Sequence, residues 1–300
     1  MTTRIKIGLA GLLLLLLGGL GLPATAITAG KADIAPALTV MVGIAPHRQL
    51  CKLIGGRRIR VSALLPPGKS PASFVPTPAQ VRELGRARLY FSLGLPFEQR
   101  VLERLAQMPE HPEIVSLQEG LELKPFSPVN GNRIRDQKHL DPHTWLDPRL
   151  AARQAATMAR ALSRIDPAGQ KFYQANLEKL QQQLDQLYRK LKTELAPLKG
   201  KTLLVYHPAF GYFARAFGLE QLAIETAGKR PKGRTLATLI RKARQRRVRA
   251  IFVEPQFDRR NAEKIAQSLN CEVVQIDPLA ADYSANLERI AAKIRHYLSP

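Results

Sequence analysis

Short runs of apolar and β-branched residues alternate along this chain with longer stretches whose apolar positions recur at helical spacing. Leu38 to Val42, Ile59 to Leu65, Leu89 to Ser92 and Glu113 to Leu117 read as strands, with helices over Thr77 to Arg86 and Pro96 to Gln107 between them. Leu123 to Asp141 is polar, holds Pro, Gly and Asn, and reads as a loop. A second series of strands follows at Thr202 to Tyr206, Gln221 to Ile224, Ala250 to Glu254 and Glu272 to Ile276. Such alternation predicts an α/β fold of two lobes, each a four-stranded parallel sheet flanked by helices. Between the two series, Leu177, Leu180, Leu184, Leu187 and Leu191 recur at steps of three and four residues, one stripe of a helix from about Pro167 to Leu195. Pro197 and Gly200 close it. The stripe suits a core helix that joins the lobes as a stiff backbone; a coiled-coil surface is the alternative, with few heptads to sustain it. The predicted division is residues 27–165 for the first lobe, 166–197 for the linking helix and 198–300 for the second lobe. No short internal repeat is visible.

At the N-terminus, Arg4 and Lys6 precede an apolar and glycine stretch from Ile7 to Leu22, and Pro23-Ala24-Thr25-Ala26 follows with small residues at cleavage-site spacing. Residues 1–26 therefore read as a secretory signal peptide. The apolar stretch would span roughly 24 Å as a helix, short of a ~30 Å hydrocarbon core, which disfavours an uncleaved anchor. No cysteine follows it, which disfavours a lipoprotein. The expected location is outside the inner membrane, periplasmic or associated with the cell surface.

Export changes the meaning of the charge. With 46 Lys+Arg against 24 Asp+Glu the chain carries +22, a balance that suits nucleic acid, lipopolysaccharide or acidic lipid. An exported protein does not meet chromosomal DNA, so no nucleic-acid partner is expected. Between Thr226 and Val253 ten residues are basic and none acidic, running from Lys229 to Arg249. Leu236, Leu239, Ile240 and Ala243 at helical spacing bury one face of this segment and leave the arginines on the other. A solvated face is the ordinary meaning; an anionic membrane surface is the partner such a run would suit. Gly228 to Thr235 resembles a phosphate loop, but Arg234 stands where its lysine belongs.

Neither Gly-x-Ser-x-Gly nor His-Glu-x-x-His occurs, and no enzyme activity is expected. Cys51 and Cys271 fall in different lobes and are expected as free thiols. The chemistry-bearing residues are instead histidines and an aspartate at strand ends, where α/β sheets place their ligands. His207 follows Thr202 to Tyr206, Asp277 follows Glu272 to Ile276, and His143 lies in the proline-bracketed turn Asp141-Pro142-His143-Thr144-Trp145-Leu146-Asp147-Pro148. Imidazoles and carboxylates from separate strands can converge on one transition-metal ion. Asp141 and Asp147, beside prolines, read as turn formers or helix caps, and Trp145 as packing within the turn.

Asp141 to Pro148, the segment around His207, Phe252-Val253-Glu254-Pro255-Gln256-Phe257, Ile276 to Leu279 and Leu65-Pro66-Pro67-Gly68 together resemble the ordered motifs of zinc and manganese receptors of ABC transporters, the zinc-uptake component A type. The resemblance implies two lobes bridged by a backbone helix, one divalent ion in the cleft and a membrane ABC permease as partner; imidazoles with one carboxylate suit zinc slightly better than manganese or iron, and a monomer is expected. It implies His143, His207 and Asp277 as metal ligands. The chain departs from the pattern at Pro71-Ala72-Ser73-Phe74-Val75-Pro76, where Ala72 stands in the place of a ligating histidine and Val75 in that of an acid. Water, His47 just past the first strand, or His139 in the loop are the candidates for the vacancy, and His47 is the favoured replacement. The loop from Pro125 to Leu140 carries a single histidine, so a metal-collecting loop is not supported.

Overall fold

The alternating pattern folds as expected. A computed structural model of the chain describes residues 37–126, 140–225 and 231–299. The signal peptide, His139, Lys229 and Arg230 lie outside these.

The first lobe carries β1 (Leu38–Val42), α1 (Ala45–Gly55), β2 (Ile59–Ala63), α2 (Pro78–Gly85), β3 (Leu89–Ser92), α3 (Pro96–Leu105) and β4 (Glu113–Ser116). Its strands are all parallel, in the order β2-β1-β3-β4. After α4 (Pro148–Ile165) and α5 (Gln170–Leu195), the second lobe repeats the plan with β5 (Thr202–Val205), α6 (Gly211–Phe217), β6 (Glu220–Ala223), α7 (Gly233–Gln245), β7 (Ala250–Val253), α8 (Arg259–Leu269), β8 (Glu272–Gln275) and α9 (Tyr283–Leu298). Here too the strands are parallel, in the order β6-β5-β7-β8. The two sheets thus share a topology that the residues do not advertise. A sheet of this order has a crevice where the chain switches direction, beyond the carboxyl ends of its two central strands. Those strands are β1 and β3 in one lobe and β5 and β7 in the other.

Parallel strands covered on both faces read as unbroken apolar runs, and all residues of Leu89–Ser92 and Ala250–Val253 are buried. The stripe on α5 is inside the molecule: Leu177, Leu180, Leu184, Leu187 and Leu191 are buried, joined by Tyr173 and Leu195. Its 26 residues make a rod of about 39 Å. The rod packs on α1 and α4 at one side and on α6 and α9 at the other, so its stripe is consumed by the fold. One apolar core runs from Val40 through Leu184 to Phe252 and unites both lobes. Near the crevice of the first sheet, Glu98 accepts from Tyr90 Oη (2.6 Å) and from the backbone N–H groups of Leu93 (2.9 Å) and Leu95 (2.8 Å). A Cβ on Gly43, at the end of β1, would overlap Glu98 Oε1, so glycine is needed there. Both cysteines are free, Cys51 buried in the first lobe. Among the described residues no helix is long and apolar enough to cross a membrane.

Candidate metal centre

Between the carboxyl ends of the two sheets lies a cavity of about 80 Å³, walled by Ala72 and Leu95 from the first lobe, by His143 and Trp145 from the turn before α4, and by His207 and Glu254 from the second lobe. Its wall is mostly apolar, so the polar groups in it are conspicuous.

His143 and His207 meet there, their ring centroids 5.2 Å apart. The turn at 141–147 holds His143 by local bonds. Asp141 Oδ1 accepts from both the backbone N–H (3.0 Å) and the ring Nδ1 (2.7 Å) of His143, and Asp147 caps α4 through the N–H of Arg149 (2.9 Å). Asp141 is wholly buried. His207 is fixed in the same manner, its Nδ1 2.5 Å from Oε1 of the buried Glu225. A carboxylate accepts and does not donate, so both rings carry their proton on Nδ1 and keep the Nε2 lone pair. This carboxylate–imidazole pairing is the arrangement that orients metal-binding histidines. Burial lowers the pKa of His207, an effect the Glu225 bond opposes without cancelling, and a neutral ring is the form that coordinates. Phe257 stacks on His207 at 5.2 Å, and Trp145 lies 5.2 Å from His143.

Strand register explains why Glu225 finds His207. Val205 is level with Ala223 on β6 and with Phe252 on β7. Two residues further on, His207 is therefore level with Glu225 on one side and Glu254 on the other. Across β7 and β8, Val253 is level with Gln275, which sets Asp277 one residue beyond that row. Successive residues of an extended chain face opposite ways, and Asp277 lines a neighbouring cavity with Pro66 to Lys69, separated from the first by Gln256 and Leu279, which line both. Its Oδ1 accepts from Gln256 Nε2 (3.2 Å) and from the N–H of Leu279 (2.9 Å).

The structure does not bring His47 to the cavity. Helix α1 begins at Ala45, directly after β1, and this turns the His47 ring inward, wholly buried behind Trp145 at a centroid distance of 6.0 Å. His47 Nε2 lies 3.0 Å from Gln154 Oε1, and Gln154 Nε2 donates to Thr144 Oγ1 at 2.8 Å. The ring thus braces the turn that carries His143. Ala72 lines the cavity, whereas Val75 is 65% exposed and outside it. Among the described residues, no three His, Cys, Asp or Glu side chains are yet drawn close enough to hold one ion. Asp141, read as a turn former, also holds the His143 ring, whereas Glu225 and Glu254 carry no role in the sequence reading. An acidic residue just past a strand end was the available signal for the last two.

Trp145 Nε1 donates to Pro278 O (2.9 Å) and Tyr283 Oη donates to Trp145 O (2.6 Å), tying the turn to the second lobe. Two lobes on a rigid helix, with paired imidazoles in the cleft, define a solute receptor of the metal-binding class. Residues 40–297 match the family described as zinc-uptake complex component A, periplasmic, and the chain belongs to it. A crystal structure of ZnuA superposes with a TM-score of 0.81 at 34% identity, covering 88% of this chain and all of that one. The manganese ABC transporter substrate-binding lipoprotein PsaA of Streptococcus mitis is 27% identical over 261 residues, 83% of this chain and 82% of its own. The zinc-binding protein TroA of Treponema pallidum is 26% identical over 251 residues, 82% of this chain and 79% of its own. The family is that of zinc and manganese ABC solute-binding proteins.

Proposed function

We propose that this chain is an exported receptor that captures a divalent transition metal, zinc in preference to manganese, in the interlobe cleft and hands it to a membrane ABC permease. The observation that carries the reading is the pair of imidazoles, 5.2 Å apart, each with Nδ1 tied to a buried carboxylate. His143 and His207 bind the ion through Nε2, and Asp277, whose Oδ2 is not engaged by Gln256 or Leu279, joins them as the cleft tightens. Imidazole donors favour zinc over the harder manganese ion. The work is binding and release by a monomer, with no bond made or broken.

Calorimetric titration of zinc and manganese into the metal-stripped protein tests this, with His143→Ala and His207→Ala alongside. Zinc is expected to bind more tightly, and each variant to weaken it. Binding of both ions weaker than about millimolar would sink the reading.

A second reading concerns the basic run. On α7 only Leu239 and Ala243 are buried, while Arg234, Arg241, Arg244, Arg246, Arg247 and Arg249 are exposed. We infer that this face adheres to an anionic membrane surface. Retention on anionic but not neutral vesicles, lost at high salt, supports it; equal retention on both removes it.

A further inference from the structure

Beside the paired imidazoles sits a carboxylate with nothing to do. Glu254 is 1% exposed, lines the cavity with His143 and His207, and has no hydrogen-bond partner on either oxygen. Buried polar atoms nearly always find partners, so two orphaned oxygens on one carboxyl demand a reason. The neighbouring buried acids are accounted for: Asp141 and Glu225 hold the histidines, and Glu98 takes a tyrosine and two backbone amides.

Topology puts Glu254 in the place where a ligand group belongs. It follows β7 directly, as His207 follows β5, and these are the two strands that flank the crevice of the second sheet. By register it is level with His207, on the side opposite Glu225. It therefore shares a cavity with His207 without being needed to orient that ring. A cation is the partner that would satisfy both oxygens.

We propose that Glu254 is a direct ligand of the captured ion, supplying the donor that Ala72 does not. The inference rests on the receptor reading above. Three χ angles let the carboxylate swing toward the imidazole pair once an ion is present. His47, which braces the His143 turn from behind Trp145, stays where it is.

The test is competition calorimetry with zinc on the metal-stripped wild type, Glu254→Gln, Glu254→Asp and His207→Ala, together with visible spectra of the cobalt(II)-loaded proteins. Glu254→Gln is expected to weaken zinc binding by about tenfold or more and to alter the cobalt bands, which report the donor set. Glu254→Asp keeps the donor and is expected to recover part of the affinity. Unchanged affinity and cobalt spectrum in Glu254→Gln, with binding lost in His207→Ala, overturns the proposal and leaves the receptor reading standing. A wild type that binds no metal overturns both. Should Glu254→Gln fail to fold, the zinc-loaded wild-type crystal structure decides: a Glu254 oxygen about 2.0–2.2 Å from zinc supports the proposal, and one beyond about 3 Å overturns it.

Discussion

His47 offers a quantitative test of how the site is supported. The ring is wholly buried, and burial pushes its pKa down to about 4, with the Gln154 hydrogen bond opposing the shift. In the unfolded chain the same imidazole protonates near the ordinary value of about 6.5. Below that pH the unfolded state binds a proton that the folded state refuses, so stability from this group is full above about 6.5 and drains as pH falls toward 4. At about 1.4 kcal/mol per pH unit, the loss between pH 7 and 4.5 is roughly 2.5 kcal/mol. His47→Gln retains an amide donor for Gln154 and does not titrate. Urea unfolding of the metal-free wild type and variant at pH 7 and 4.5 should therefore show the wild type losing roughly 2.5 kcal/mol more than the variant, since all other groups are common to both. Losses equal within about 0.5 kcal/mol would refute the argument. The same variant should retain zinc binding at pH 7, because the Gln side chain keeps the bond to Gln154 that supports the Thr144 turn and the position does not face the cavity.

Replacing the carboxylate behind His143 or His207 should, on the proposed reading, weaken zinc binding without removing it. Glu225→Gln and Asp141→Asn each present an amide that can turn its NH2 to the ring and favour the wrong tautomer; about 10- to 100-fold loss, or about 1.4–2.7 kcal/mol, is expected by competition calorimetry. Wild-type affinity in both would refute the tautomer assignment. In the metal-free protein, the ring resonance of His207 should titrate by NMR with a midpoint below 6.5, since burial outweighs Glu225; a midpoint above 6.5 would reverse that ordering. Finally, zinc association measured by stopped flow should quicken as ionic strength rises from about 10 to 100 mM, because screening weakens repulsion by a chain with a large excess of Lys and Arg. A slower association at higher salt would show that the local acids govern approach.

How far the sequence discloses this molecule depends on whether a feature is written along the chain or across it. Ala250–Val253 is apolar at every position because it is buried on both faces, and the leucines of Gln170–Leu195 mark a single helical stripe. Both signals are local, and both elements lie where the pattern puts them. His143 and His207 were legible as strand-end and turn residues, but the acids that prepare them were not equally so. Asp141 is two residues from His143, whereas Glu225 meets His207 through the level pairing of Val205 with Ala223. That pairing is a property of two strands and leaves no mark on either. His47 shows the converse: it too lies past a central strand, yet it falls five residues beyond β1 and within α1, which turns its ring into the core. The common strand order of the two lobes is also silent, because any sufficiently apolar segment satisfies a buried parallel strand.

The excess of positive charge and the cation-binding cleft look contradictory until distance is considered. Among the described residues, the cavity is lined by the imidazoles of His143 and His207 and the carboxylate of Glu254, with Asp141 and Glu225 behind the rings; Asp277 lines the neighbouring cavity, to which Arg48 and Lys69 also contribute. The basic run follows α7, and several of its arginines are engaged locally: Arg244 with Ser268 O, Arg246 with Glu220 and Thr202, and Arg249 with Ser299 O. At physiological salt, exposed charges act over about 8 Å, whereas buried groups in a low-dielectric cleft are screened far less. A captured ion therefore feels the acids beside it strongly and the surface arginines weakly. The surface charge is thus free to serve whatever the protein docks against, while affinity for the ion is decided by a few strand-end residues and the register that aligns them.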